Sequence, residues 1–256
     1  MLLFENIVVG PIHSRRLGTS LGVNVLPTQK KYCSFNCVYC ECGWNEIDTS
    51  VQVKFNSKED IHNALEKYFT STPKQDIQKI DSITFSGNGE PTLHPDILEI
   101  VKDVISFRDT YAKRAKVTIL TNSTNIVRDD VFQALNLIDN PILKLDAGTE
   151  EMYKRINKPV SCTLSQIKSS LIKFGNKAII QTMLLRGIDN GKLIDNTTEE
   201  EFSAWLKIVK EINPREVMLY TIDRETPDKD LEKLSLKELE PYANKVKALG
   251  IKVKTY

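Results

Sequence analysis

The sequence lacks a strong net charge. Its 35 lysines and arginines nearly balance its 34 aspartates and glutamates, which gives a formal charge of +1. Bulk charge therefore gives no reason to expect binding to nucleic acid or to a membrane surface, although a local basic patch remains open.

A secretory signal is also missing. The first residues, MLLFENIVVGPIHSRR, carry their basic side chains after the apolar stretch, whereas a signal peptide carries them before it. No apolar run approaches the roughly 18 residues that a membrane span needs. We therefore expect a cytoplasmic location without membrane contact. Thiols stay reduced there, so a tight cysteine cluster is expected to bind metal or to react.

The chain shows no internal repeat, no low-complexity tract and no linker rich in Gly, Ser or Pro. We therefore predict one domain over residues 1–256. It divides into an N-terminal extension (1–20) that forms a short hairpin or lid, a barrel core (about 21–223) and a closing helix and strand (234–256). Residues 186–197 are predicted to form a long polar loop.

Near-continuous apolar runs alternate with helical patterns along the chain. Such runs are typical of parallel strands, because helices cover both faces of their sheet. The fold class predicted from this alternation is α/β, a partial (β/α)6 TIM-type barrel of parallel strands with the short N-terminal hairpin or lid. A flat doubly wound sheet is the alternative. The predicted strands are 21–26, 82–87, 117–122, 142–148, 178–185, 216–222 and 251–256.

Helical patterns occupy the intervals between these runs. Ser57 indicates an N-cap, Pro95 a first helical position and Gly250 a C-cap. Pro241 predicts a kink or a break in the last segment. The predicted helices are 57–69, 94–107, 128–138, 163–175, 197–212 and 234–250.

Four of the five cysteines lie in one short stretch, CSFNCVYCECGW (33–44). A structural zinc site is one interpretation, but such sites commonly use two separated Cys-x-x-Cys pairs, and only Cys37 and Cys40 form one. Cys33 and Cys42 are available to complete a set of four. The other interpretation uses Cys33, Cys37 and Cys40, whose thiolates can bind three irons of a 4Fe–4S cluster and leave the fourth iron open.

This three-cysteine loop, with Tyr39 at the aromatic position, resembles the signature of the radical S-adenosylmethionine (SAM) superfamily. The resemblance implies that Cys33, Cys37 and Cys40 bind a 4Fe–4S cluster and that Tyr39 belongs to the cofactor site. It also implies SAM as the second cofactor. An external electron donor such as flavodoxin or ferredoxin would reduce the cluster.

The stretch Gly87-Asn88-Gly89-Glu90 follows the second predicted core strand. Two glycines permit a tight turn and a close backbone approach to a ligand. The stretch resembles the Gly-Gly-Glu-like motif of radical SAM proteins, with Asn88 inserted between the glycines, which implies contact with the amino group of SAM. An ordinary turn between a strand and a helix is the alternative.

Polar residues also mark the later strands. Asn122 and Asp146 lie at strand ends and suit ribose hydroxyls. Gln181 and Met183 share one face of their strand, where the resemblance implies contact with the methionyl carboxylate or the adenosyl group. A turn or a cap is the alternative for Asn122, and core packing is the alternative for Met183.

Residues 11–27 resemble a branch of Fe–S oxidoreductases related to the tRNA wybutosine-synthesis enzyme, as do 145–148 and 153–159. The resemblance puts Arg15 and Arg16 at the rim of the barrel mouth as candidate substrate residues, since guanidiniums bind phosphate or carboxylate. An ion-paired or solvated hairpin is the alternative.

The wybutosine activity itself is not expected to transfer. That enzyme uses a second cluster with additional cysteines, and only Cys42 and Cys162 remain here. Cys42 is then a catalytic thiol, a thiol that supports the site without reacting, or incidental, and no catalytic residue is assigned.

The expected activity is reductive cleavage of SAM to a 5′-deoxyadenosyl radical, which abstracts hydrogen from an unidentified substrate. That substrate is a small molecule, a tRNA base or a peptide, and the near-neutral charge argues against tRNA. A glycyl-radical activating enzyme and a non-catalytic zinc- or cluster-binding module are the alternatives.

Overall fold

The computed structural model describes residues 3–45 and 53–256. Its main sheet has eight strands and its smaller sheet three. The main sheet runs, in spatial order, through β1 (Val8–Ser14), β2 (Gly18–Val23), β3 (Ser82–Phe85), β4 (Lys116–Thr121), β5 (Asn140–Lys144), β6 (Ile179–Met183), β9 (Glu216–Tyr220) and β11 (Val253–Thr255). The smaller sheet contains β7 (Arg186–Asp189), β8 (Lys192–Asp195) and β10 (Leu231–Glu232).

The main sheet is a curled half-barrel, as predicted. β1 pairs with β2 in the antiparallel sense, and every other neighbouring pair in this sheet is parallel. All seven predicted strands are present. The predicted N-terminal hairpin is formed by β1 and β2, so the first barrel strand is itself one arm of the hairpin.

The prediction of a polar loop over 186–197 is wrong. This segment forms the β7–β8 hairpin, with Arg186 opposite Asp195. Its turn is Asn190-Gly191, and both residues have positive φ, at 50° and 74°. An Asn-Gly pair of this kind is the preferred two-residue hairpin turn, and it outweighs the low hydrophobicity of the flanking strands.

The six predicted helices are all present. Ser57 caps the first of them, but Pro95 precedes its helix, whose N-cap is Asp96. The last helix runs through Pro241 without ending there. None of the helices in the described ranges is long and apolar enough to cross a membrane. The helices are α1 (Lys58–Ser71), α2 (Lys74–Ile77), α3 (Ile97–Tyr111), α4 (Asp129–Leu137), α5 (Glu150–Asn157), α6 (Leu164–Phe174), α7 (Glu199–Ile212) and α8 (Leu236–Lys247).

The two faces of the half-barrel differ in chemistry. Outward side chains such as Leu21, Ile83 and Ile119 are fully buried in the main core with the helices. The alternate positions turn into the barrel, because successive side chains of a strand point to opposite faces. There, Ser20 and Thr84 are hydroxyls hydrogen-bonded to each other. The interior is therefore polar on this side, and the carboxyl ends of the strands surround it.

Candidate functional site

The four clustered cysteines lie on the segment that follows β2, here called the cluster loop (residues 31–45). The loop folds through two turns, in which Cys40 N–H donates to Cys37 O at 3.1 Å and Gly43 N–H donates to Cys40 O at 2.8 Å. The ammonium of Lys31, a buried residue, donates to Gly43 O at 2.7 Å. These bonds hold the segment that carries Cys37 and Cys40 in a defined curve.

Nitrogen donors from three parts of the chain approach the cysteine sulfurs. Phe35 N–H lies 3.4 Å from Cys33 Sγ, and Asn122 Nδ2 lies 3.6 Å from the same sulfur. Asn157 Nδ2 lies 3.4 Å from Cys37 Sγ. Hydrogen bonds to sulfur stabilise thiolate charge and tune the potential of a bound cluster.

The cysteine thiols differ in acidity. Burial raises the pKa of Cys37 to about 11, and burial raises that of Cys33 as well. A hydrogen bond with Cys42 lowers the pKa of Cys40 to about 5, and the same bond raises the pKa of Cys42. Metal binding must therefore displace protons from Cys33 and Cys37, as it does at thiolate sites generally.

The described part of the chain contains no compact site for a single metal ion. Within residues 3–45 and 53–256, no three His, Cys, Asp or Glu side chains converge tightly enough to bind one ion. A 4Fe–4S cluster does not require such convergence, because each thiolate binds a different iron.

The turn after β3 contacts the cluster loop backbone to backbone. Tyr32 N–H donates to Asn88 O at 2.7 Å, and Glu90 N–H donates to Tyr32 O at 3.0 Å. Gly89 has φ +137°, and a Cβ placed on it would lie 1.9 Å from Tyr32 O. A glycine is required at this position because any side chain would push the loop away.

The side chain of Asn88 is fully buried and bonded within the protein. Its Nδ2 donates to Phe4 O and to Pro27 O, both at 2.9 Å, and its Oδ1 accepts from Phe4 N–H at 2.7 Å. Beside it, Gly87 is packed so closely that a Cβ would lie 2.2 Å from Asn24 Oδ1. Asn88 therefore fastens the N-terminal segment to the base of the cluster loop.

Glu90 connects the ends of β3 and β4. Its buried carboxyl group accepts hydrogen bonds from Thr92 N–H at 3.0 Å, Thr92 Oγ1 at 2.5 Å, Thr121 Oγ1 at 2.6 Å and Asn122 N–H at 2.6 Å. Burial raises the pKa of Glu90, although these four donors favour the charged form. The side chain is thus fully engaged by its own protein.

Asp146 joins the cluster loop to the end of β5. Its Oδ2 accepts from Tyr39 Oη at 2.5 Å and from Asn157 Nδ2 at 2.8 Å. Its Oδ1 accepts from Met183 N–H at 2.9 Å and lies 3.4 Å from Lys144 Nζ. One buried carboxylate therefore positions the aromatic residue of the loop against three other elements.

Lys144, to which the sequence analysis gave no role, is the cation of this network. Its ammonium lies 4.9 Å from the centre of the Tyr39 ring and 4.8 Å from that of Tyr220, and it is hydrogen-bonded to the Tyr220 hydroxyl. Burial alone would lower the pKa of Lys144, but Asp146 and Tyr220 outweigh it and raise the pKa. The residue precedes Asp146 by two positions, and that spacing places both on one face of the strand.

Gln181 lies beside Lys144 on the neighbouring strand. Its Nε2 is buried and has no hydrogen-bonding partner in the described part of the protein. A buried donor without an acceptor is destabilising, and a ligand that supplied an oxygen would remove that cost. This orphaned amide fits the prediction of a cofactor contact at Gln181.

Arg15 and Arg16 lie beside a cavity of about 310 Å³ that extends to Cys42 and Gly87. Their guanidiniums have different surroundings. Arg15 pairs with Asp223 at 3.0 Å, whereas Arg16 lies over the Tyr220 ring at 4.7 Å.

The structure thus gathers the predicted residues into two groups. Around the cluster loop, Asn122 contacts Cys33, Asn157 connects Cys37 to Asp146 and Tyr39, and Cys40 N–H donates to Cys37 O. Arg15, Arg16 and Gly87 line the adjacent cavity. Sequence reasoning missed Lys144, Tyr220 and Asn157. Asn157 lies in the stretch 153–159, which resembles the Fe–S oxidoreductase branch, and that resemblance is the sequence signal that could have identified it.

Related proteins share most of this chain. A UPF0026 protein of Helicobacter pylori strain 26695 is 33% identical over 244 residues, which cover 91% of this chain and 71% of that protein. A UPF0026 protein of Methanocaldococcus jannaschii is 34% identical over 228 residues, with coverages of 87% and 65%. A Brachyspira hyodysenteriae protein named GTPase Obg is 31% identical over 238 residues. These residues cover 91% of this chain, which spans only 32% of that protein's length.

Solved structures share the fold. TYW1 with a lysine–pyruvate adduct bound superposes with a TM-score of 0.62 at 17% identity, covering 91% of this chain and 75% of that chain. Streptococcus suis SuiB bound to S-adenosylmethionine gives a TM-score of 0.63 at 15% identity, covering 92% and 50%. The sequence profile of the Radical SAM superfamily matches residues 30–203. Because that match includes more than half of the chain and the cluster loop, the protein belongs to the radical SAM superfamily.

Proposed function

We propose that this protein is a radical SAM enzyme in which Cys33, Cys37 and Cys40 hold a 4Fe–4S cluster. When bound, the cluster and SAM supply a 5′-deoxyadenosyl radical, which abstracts hydrogen from the substrate. The observation that carries the proposal is the convergence on Cys33 and Cys37 of side-chain amides from two other elements, at 3.6 and 3.4 Å. A buried structural thiol has no need for amide donors that follow β4 and end α5.

The residues near the cysteines fit SAM as well as the cluster. The unpartnered Nε2 of Gln181 offers a donor to a carboxylate or a ribose oxygen. The full cofactor site in this proposal comprises Tyr39, Gly87, Asn88, Gly89, Glu90, Asn122, Asp146, Gln181 and Met183. Since Asn88 and Glu90 engage their side chains within the protein, they are proposed to contact the cofactor through their backbone carbonyl oxygens, each of which can accept two hydrogen bonds.

The Tyr39–Asp146–Lys144 network orients the cluster loop and keeps its surroundings dry. Tyr39 is 7% exposed and Asp146 2%, and the side chain of Lys144 is 14% exposed. Lys144 stays protonated because Asp146 and Tyr220 surround it, so its positive charge faces the half-barrel interior near Cys37. A fixed cation there offsets the negative charge that three thiolates bring to the site.

An external electron donor such as flavodoxin or ferredoxin and a cytoplasmic location belong to the same proposal. Its substrate is a small molecule, a tRNA base or a peptide segment. We do not propose that Lys144 forms an adduct like the lysine–pyruvate adduct bound in TYW1. An amine must lose its proton before it attacks a carbonyl, and the pKa of Lys144 is raised.

The test of the cluster is anaerobic reconstitution with iron and sulfide, followed by metal analysis and electron paramagnetic resonance of the reduced protein. We expect about four irons per chain and a spectrum that changes when SAM is added. Cys37→Ala should lose this signal, and Cys162→Ala should keep it. A colourless protein that holds one zinc, with no SAM-dependent change, would contradict the proposal.

A further inference from the structure

The cavity beside Arg16 has an unusual wall for a barrel interior. Bulky branched side chains usually fill such interiors. Here the wall carries small hydroxyls from neighbouring strands. Ser20 and Thr84 line the cavity, and their hydroxyls are 2.8 Å apart. Outside the cavity lining, Ser82 Oγ lies 2.9 Å from Thr84 Oγ1 and donates to Thr118 Oγ1 at 2.8 Å. These short side chains leave a polar chamber of about 310 Å³ that reaches Cys42.

The carboxylates that line the chamber are already paired with cations other than Arg16. Asp223 binds Arg15 at 3.0 Å, and Glu41 binds Arg224 at 2.6 Å. Pairing of this kind leaves the charge of Arg16 unbalanced, and an unbalanced cation attracts an anion.

The Arg16 guanidinium itself makes no hydrogen bond and no ion pair with the described residues, and its carbon lies 4.7 Å from the centre of the Tyr220 ring. The hydroxyl of Tyr220 is fixed by Lys144, so the ring is a rigid support. A guanidinium has five N–H donors in a planar fork that matches carboxylate and phosphate. The Arg16 guanidinium is half-buried and stacked on Tyr220, and none of the described residues supplies it with an anionic partner.

We propose that Arg16 binds the anionic group of a small substrate in this chamber, with the substrate's polar atoms bonded to the hydroxyls of Ser20 and Thr84. The inference deepens the proposed function and rests on it for the identity of the ligand as substrate. The chamber's volume limits the substrate to a small molecule that carries a carboxylate or a phosphate. Arg15, held by Asp223, is not the anchor.

Site-resolved modification with phenylglyoxal, which reacts with arginine guanidiniums, tests this on the reconstituted protein. Mass spectrometry gives separate rates for Arg15 and Arg16 in one experiment. Each arginine is compared with itself in the presence and absence of a probe anion, because Arg15 is exposed and ion-paired whereas Arg16 is half-buried and stacked. Inorganic phosphate or succinate should slow the reaction of Arg16 and leave that of Arg15 nearly unchanged, and the stronger of the two probes identifies the anion class.

The affinities of wild type and of arginine variants for the same two anions provide a second test. Arg16→Met keeps an unbranched stem over Tyr220, so it should fold, and it should weaken binding of the stronger probe about tenfold. Arg15→Met should weaken it much less.

Failure of both probes to slow the reaction of Arg16 would overturn the anchor. So would protection of Arg16 by SAM alone, because the anion would then be the SAM carboxylate. Binding of a tRNA where both small anions fail would overturn the small-molecule class. None of these outcomes depends on cleavage of SAM, so failure of the anchor is distinct from failure of the proposed function.

Discussion

The hydroxyl of Tyr39 donates a 2.5 Å hydrogen bond to Oδ2 of Asp146, across 107 positions of sequence. This contact connects the cluster loop to the carboxyl end of β5 inside the barrel. The position of Tyr39 is therefore fixed by a carboxylate that also contacts Asn157, Met183 and Lys144. The loop is therefore held by the barrel core and not only by its own turns.

The two ends of this contact should respond unequally to mutation. Tyr39→Phe removes one donor and leaves Asp146 its other partners, so we expect a loss of about 1.5–3 kcal/mol in the free energy of unfolding. Asp146→Ala leaves Lys144 buried without its carboxylate, so we expect about 3–5 kcal/mol. Urea denaturation of the metal-free protein measures both values.

Tyr153→Phe is the matched control for Tyr39→Phe. The buried Tyr153 hydroxyl has no hydrogen-bonding partner among the described residues, so its removal should change stability by less than about 1 kcal/mol. Equal losses in Tyr39→Phe and Tyr153→Phe would show that the contact with Asp146 contributes nothing specific.

Gly89→Ala should disturb iron binding, because its methyl group would displace Tyr32 at the start of the cluster loop. Gly250→Ala controls for backbone strain alone, since Gly250 also has positive φ, +77°, but nothing lies within 4 Å of its Cβ position. We expect a cost of about 1–2 kcal/mol for Gly250→Ala with full iron content. Gly89→Ala should cost more and retain less iron per chain. Normal iron content in Gly89→Ala would show that this close approach is dispensable.

Glu90 should make stability depend on pH. Burial raises its folded pKa above the ordinary 4.5, so the folded chain binds the proton more tightly than the unfolded chain. Stability contributed by this group is then present below pH 4.5 and decreases as pH rises through the folded pKa. The side chain of Glu90→Gln cannot titrate. The stability advantage of wild type over Glu90→Gln should therefore shrink as pH rises from 4.5 through the folded pKa of Glu90. Urea denaturation of both proteins across the interval measures it, and a constant difference would contradict the assignment.

Gln181→Met separates a ligand contact from a structural role. The buried Nε2 has no partner, so an apolar side chain of similar length should leave the metal-free protein within about 1 kcal/mol of wild type, or stabilise it. SAM binding to the reconstituted protein should weaken about tenfold, the value of one hydrogen bond. A destabilised protein with unchanged SAM affinity would assign Gln181 to the fold instead.

The alternation of strands and helices could be predicted from the sequence, because each element has a local pattern. Features that depend on contacts between distant segments could not. Buried strands such as 82–87 and 216–222 were found because their apolar runs are a local signal. The β7–β8 hairpin is not predicted because its short, partly exposed strands lack such a run, and the Asn190-Gly191 turn is a signal of only two residues.

The same limit applies within the site. The spacing of Cys33, Cys37 and Cys40 was visible in sequence, but the pairing of Lys144 with Asp146 and Tyr220 exists only once the strands are adjacent. Asn88 illustrates the opposite case, since its position in a motif indicated a ligand while its side chain binds Phe4 and Pro27. Motif spacing locates a site better than it assigns individual side chains.

The most direct test of the central claim is 5′-deoxyadenosine formation by the anaerobically reconstituted, dithionite-reduced protein after addition of SAM. The account predicts slow release of 5′-deoxyadenosine without added substrate by wild type and by Cys162→Ala, and none by Cys37→Ala. A protein that holds about four irons per chain and never cleaves SAM, or that cleaves it equally well after Cys37→Ala, would contradict the account.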